Sequence, residues 1–186
     1  MSSVPRALVS VTADYAAAEL RALVIVENRD AGVLNWRPDD RRWSILQCIQ
    51  HLALANQFLG ASIERALSER PKVGPESEQI IPGMVWRFLL ALVEPRVRLK
   101  GFAPNVLQPP PSLDAELTLT AFRDSHARLR ALAARCHGVD VNRLRFRHPI
   151  IRLRMSVGCA FLLLAIHERR HLLQAEEVAA LREMQT

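Results

Sequence analysis

Residues 167–171 read HERRH, and the reading of these five letters decides the fold. His167 and His171 are four apart. On a helix that spacing puts both imidazoles on one face, within reach of a single ion. The string also fits H-E-x-x-H, in which two histidines hold zinc and the glutamate is the general base of peptide hydrolysis. Both readings share the metal but differ in fold, third ligand and reaction.

The flanking residues favour a helix inside a bundle. Backwards from His167 the same face carries Leu164, Leu163 and Ala160; forwards from His171 it carries Gln174, Val178 and Leu181. That is the inward stripe of an amphipathic helix. Histidines there need partners, because an unsatisfied buried polar group costs about 1–3 kcal/mol. The peptidase reading lacks its third ligand, since the downstream positions that would hold glycine and histidine carry Gln174 and Glu177. Glu168, flanked by Arg169 and Arg170, reads as part of a charged outer face. Six histidines in the chain leave a four-residue spacing open to chance, so the pair needs a third histidine from elsewhere.

Outward from this stretch, the composition is helical. Glycines number only seven and aromatics make up 5%, against abundant Ala, Leu and Arg. Four long helices are expected: Ser10 to Arg29; from Asp39/Asp40 to Pro71; from Ser112-Leu113-Asp114 to about Cys136; and from Ser156 to the C-terminus. Asp30-Ala31-Gly32 stops the first. Residues 71–111 form a long crossover, in which GMVWRFLLALVEP (83–95) reads as a short extra helix and the proline-rich stretch after it as extended surface chain. The fold class is therefore all-α, a four-helix bundle with one long crossover, and residues 1–186 form a single domain.

Charge and cysteines bound the function. The formal charge is +6, and 23 of the 25 basic residues are arginine, Lys72 and Lys100 being the lysines. The arginines alternate with acids along the helices instead of forming a stripe, which argues against nucleic acid as a partner. Cys48, Cys136 and Cys159 form no C-x-x-C pair and read as buried thiols. The N-terminus lacks a signal-like apolar run, and VGCAFLLLAI (157–166) is about half the length that spans a bilayer. The expectation is a cytoplasmic protein with no membrane partner.

The better candidate for a third histidine is His51, mid-helix in WSILQCIQHLALANQF with Leu54, Ala55 and Phe58 beyond it, a lone core histidine being the other reading of that position. Its apolar face turns it inward. Together with His167 and His171 it would make a three-histidine site with open coordination positions. Cys48, one turn before His51, could approach the same ion, although a packed thiol suits it better. His126, His137 and His148 fall on polar or loop stretches and are left out. Trp43 and Trp86 read as core or staple residues that could also line a pocket.

Trp43-Ser44, then His51, then Arg147-His148-Pro149, Met155-Ser156 and finally His167-x-x-Arg170-His171-x-x-Gln174 resemble the DinB/YfiT-like superfamily over residues 10–182. The resemblance implies an up-down-down-up order of the four helices and places the divalent-metal ligands on His51, His167 and His171. It also implies, in many members, a homodimer, which the apolar excess on the first two helices permits. Gln174 matches a family position without a role that the sequence explains. One departure is visible: Pro149 is usually followed within a few residues by glycine, and here Ile150-Ile151-Arg152-Leu153-Arg154 intervenes. This bears on the start of the fourth helix and the rim of the site.

Neutral nitrogen ligands leave an ion most of its charge. Zinc and nickel are the first candidates, with iron and manganese also compatible. Such an ion could hold a thiol as thiolate or lower the pKa of water. Relatives that transfer bacillithiol, mycothiol or similar thiols, and a maleylpyruvate isomerase, turn the resemblance towards thiol chemistry. The expected function is a metal-dependent enzyme transferring a small-molecule thiol to an electrophile, or a metal-dependent hydrolase. The alternative is a non-catalytic metal-binding or dimerisation bundle. Arg152 and Arg154, near the mouth of the fourth helix, could attract the carboxylates of a small thiol.

Overall fold

A computed structural model describes residues 4–69, 74–96 and 103–185. Six α-helices form: α1 Val9–Val26, α2 Ala31–Asn35, α3 Ile45–Glu69, α4 Met84–Val93, α5 Ala115–Arg135 and α6 Val157–Glu183. Four of them, α1, α3, α5 and α6, build the bundle. Their directions follow from side-chain pairs. Asp14 meets Arg169, Arg21 meets Glu176 and Arg29 meets Glu183, so α1 and α6 run parallel. Asn56 bonds Ser125 and Gly60 faces Leu129, so α3 and α5 are parallel too. The first half of α3, Ile45 to Leu52, shares a core cluster with Leu172, Ala175 and Val178 of α6, and its second half, Leu59 and Ile63, shares one with Phe161 and Leu164, which sets α3 antiparallel to α6. The order is up-down-down-up.

The helix boundaries have local causes. Asp30 accepts from Val33 N at 2.9 Å and starts α2, so the residues expected to end the first helix instead open a short second one. The second long helix was expected from Asp39/Asp40 but begins at Ile45. Ser44 Oγ accepts from Gln47 N at 3.2 Å and Gln47 Oε1 accepts from Ser44 N at 3.0 Å, a reciprocal cap that satisfies two free amides. Asp39 and Arg42 lie in the turn before it. Asp114 caps α5 and Ser156 caps α6, close to the helix starts expected from the sequence. Gly138, at φ 73°, follows the end of α5. The expected close of the second helix at Pro71, and part of the extended stretch before Pro104, lie outside the described residues.

Two core clusters share the interior, one around Tyr15, Ile63, Leu129 and Phe161, the other around Ile45, Ile49, Leu52, Phe122 and Leu172. The short helix of the crossover, α4, packs on α6. Trp86 is buried there and donates Nε1–H to Arg154 O at 2.7 Å. One feature is absent from the all-helical expectation. Arg145–Arg147 (β1) and Arg154–Ser156 (β2) pair antiparallel in a two-stranded hairpin just before α6. Among the described residues no helix is long and apolar enough to cross a membrane.

Candidate metal centre

The three expected histidines meet. His51 comes from α3 and His167 and His171 from successive turns of α6, and one nitrogen of each lies within 4.8 Å of the others. Their ring centroids are 4.5–4.9 Å apart in edge-on pairs. His51 is 3% exposed, and the Trp43 ring lies 4.6 Å from it and 5.6 Å from His171, walling one side. Among the described residues this is the one group of three or more potential metal ligands.

The surroundings orient the lone pairs. His51 Nδ1 donates to Leu107 O at 2.8 Å, which leaves Nε2 as the free nitrogen. That Nε2 faces His167 Nε2 at 3.2 Å. On α6, His171 Nδ1 donates to Gln174 Oε1 at 3.0 Å, turning its Nε2 the same way. A fixed tautomer and a fixed ring are what metal-binding histidines receive from such partners. Gln174 thereby has a contact that the sequence left open, its Oε1 fixing the ring of His171. Leu107 sits in a short 3₁₀ turn, Asn105–Leu107, held over α3 where Gln47 Nε2 donates to Pro110 O.

Electrostatics keep the imidazoles neutral. Burial lowers the pKa of His51, against the opposing bond to Leu107. His167 falls well below the ordinary histidine value, chiefly by burial and then by the neighbouring His171, His51 and Arg170. His171 is pushed down to about 3, by burial first and then by His51. Three unprotonated imidazoles aimed at one point repel protons and suit a divalent cation. The residues present therefore fit a divalent ion.

A family model described as the DinB superfamily matches residues 14–175. The chain belongs to the DinB superfamily. Its fold also matches a solved structure, YfiT from Bacillus subtilis, described as a probable metal-dependent hydrolase with an unusual four-helix bundle topology. The TM-score is 0.60 at 16% identity, covering 94% of this chain and 86% of that one, a likeness of fold. No curated protein matches the sequence.

The other residues that carried the resemblance are mostly architectural. Ser44 caps α3. Arg170 donates to the carbonyls of Leu92, Val93 and Glu94 at 3.3–3.4 Å and so closes the C-terminal end of α4. His148 is buried and its Nδ1 accepts from Ile150 N and Ile151 N, tying the hairpin turn. In the stretch after Arg147-His148-Pro149, Arg152 takes a left-handed φ of 65°.

For Cys48 the packed-thiol reading holds, and other sequence expectations change. Cys48 is fully buried among apolar side chains, with its thiol pKa pushed up by burial, and it does not join the histidine group. Glu168 is not on an outer face. It is 1% exposed and accepts from His126 Nε2 at 2.6 Å and from Asn56 Nδ2 at 2.8 Å. His126, read as lying on a polar stretch, is wholly buried between Glu168 and Glu19, the latter 3.1 Å from its Nδ1. Burial raises the Glu168 pKa, and the two donors pull the other way. Arg152 and Arg154 line a different cavity, beside Ser62. At about 1.5 Å rise per residue, Ser62 is roughly 16 Å further along α3 than His51. Those arginines do not rim the metal centre.

Proposed function

We propose that the chain is a metal-dependent enzyme of the DinB superfamily that activates a small-molecule thiol for attack on an electrophile. The observation that carries this reading is the facing pair of Nε2 atoms of His51 and His167 at 3.2 Å, with His171 beside them, all three neutral and without an acidic ligand. A divalent ion held there, zinc or nickel first and iron or manganese next, would supply Lewis acidity that lowers the pKa of a thiol or of water. The chain's own residues do the rest. Leu107 O and Gln174 Oε1 hold the imidazoles in the metal-binding tautomer, and Trp43 covers one flank from water. Three protein ligands leave coordination positions for an exchangeable group.

Hydrolysis is the second reading, favoured by the description of YfiT as a probable metal-dependent hydrolase. A homodimer working on a cytoplasmic thiol completes the proposal. Leu20 and Val24 on α1 are each 66% exposed and offer apolar surface for a second copy. The test incubates the metal-loaded protein with bacillithiol, mycothiol or glutathione and a chromogenic electrophile, beside an ester substrate. Thiol adduct formation that stops on chelation and returns with metal supports thiol transfer. Ester cleavage alone favours the hydrolase. Neither activity, with metal bound, overturns the enzymatic reading in favour of a structural bundle.

A further inference from the structure

The β1–β2 hairpin and the C-terminal half of α3 enclose a cavity of about 400 Å³ whose lining is dominated by arginine. Arg65 reaches it from α3, and Arg145, Arg147, Arg152 and Arg154 from the hairpin; Glu69 is the sole acid in the lining. None of the five arginines forms an ion pair with Glu69 or with any other described residue. Some arginines elsewhere find acids, as Arg21 does with Glu176 and Arg128 with Glu64, and what sets these five apart is that they converge on one cavity.

Two features cost the protein stability without an evident structural return. The hairpin register places Arg147 directly opposite Arg154, and like charges opposed across an antiparallel pair repel. Arg152 holds a left-handed φ of 65°, a conformation suited to glycine and uncommon for a long side chain. Arg152 nonetheless lines the cavity. Unfavourable charge pairs and backbone strain that persist together at one concave site are a mark of binding.

We propose that this hairpin cavity binds a small polyanion, a ligand carrying two or more phosphoryl or carboxylate groups. Planar guanidinium forks match such oxyanions two bonds at a time. The anion would relieve the Arg147–Arg154 repulsion and bring the charge that the fold does not supply. The volume suits a metabolite-sized ligand, and convergence on a cavity, in place of a stripe along a helix, favours a small molecule over a nucleic-acid backbone. The site is separate from the histidine centre, so it stands or falls independently of the metal chemistry.

The experiment is calorimetric titration of the full chain with pyrophosphate and with citrate at low and at physiological ionic strength. Saturable 1:1 binding that weakens with salt is expected. Tighter binding of pyrophosphate assigns the site to phosphoryl groups, and tighter binding of citrate to carboxylates. The double variant R147Q/R154Q should lose at least about tenfold in affinity with its helical circular dichroism unchanged. Arg152→Gly should bind more weakly yet melt at a higher temperature without ligand, a pairing that general damage to the fold would not produce. His171→Ala should bind as the wild type does. Absence of saturable binding overturns the proposal. So does unchanged affinity in R147Q/R154Q, loss of binding in His171→Ala, or capture of duplex nucleic acid in preference to pyrophosphate.

Discussion

At the scale of the residue, the candidate metal centre depends on imidazoles kept neutral and pointed. Removing Gln174 should release His171 Nδ1 and let the ring turn. Gln174→Ala is expected to weaken metal affinity about 10–100-fold, read by chelator competition, while the metal-free melting temperature moves little. The depressed histidine pKa values also set a pH dependence. His171 is held at about 3, against 6.5 for an ordinary histidine. Between those values the unfolded chain takes up a proton that the folded site refuses, so this contribution is complete above pH 6.5 and is lost as the pH falls towards 3. His51 and His167 act in the same direction. Melting temperature against pH for metal-free protein should therefore fall below about pH 6.5, and His171→Leu should flatten that slope. The inward face of His51 and the pairing of His167 with His171 were legible in the sequence because helical periodicity determines facing. The partner of His51 was not, since a backbone carbonyl on a crossover leaves no trace in the residue types.

At the scale of the element, caps and buried networks decide where helices start and how they turn. Ser44 and Gln47 exchange two hydrogen bonds at the start of α3, and Ser44→Ala should cost about 1 kcal/mol in urea unfolding. Behind the metal centre, Glu168 ties α6 to α3 through Asn56 and to α5 through His126. This network faces away from the three ligands although Glu168 adjoins His167 in sequence, a consequence of about 100° of turn per residue. His126→Ala should leave Glu168 short of a partner and destabilise the fold by about 3 kcal/mol, with one ion per chain still bound at saturation, read by urea unfolding and metal analysis. The sequence reading placed Glu168 outside because two arginines flank it. Local charge misled there, since the outcome depended on Asn56 and His126, distant in the chain. The hairpin was missed for a related reason: three-residue strands rich in arginine carry no apolar alternation to announce them.

At the scale of the whole molecule, the four long helices and the starts of α5 and α6 near Asp114 and Ser156 were readable, because each helix must bury one face and the periodicity records which. Their up-down-down-up order was carried by the family resemblance and agrees with the pairing of Asp14 with Arg169 and Asn56 with Ser125. The histidine cluster joins α3 to α6, so an ion bound there would bind only the folded bundle. At a hundredfold excess over its dissociation constant such an ion adds about 2.7 kcal/mol. For a domain of this size that corresponds to a melting-temperature rise of roughly 5–10 °C, reversed by chelation and readable by differential scanning fluorimetry.

The most direct test of the account is metal content by mass spectrometry on untagged protein, beside His51→Ala, His167→Ala and His171→Ala. The account predicts close to one divalent ion per chain in the wild type and its loss in each of the three variants. Protein that takes up no ion, or that keeps a full equivalent after His51→Ala, would contradict it.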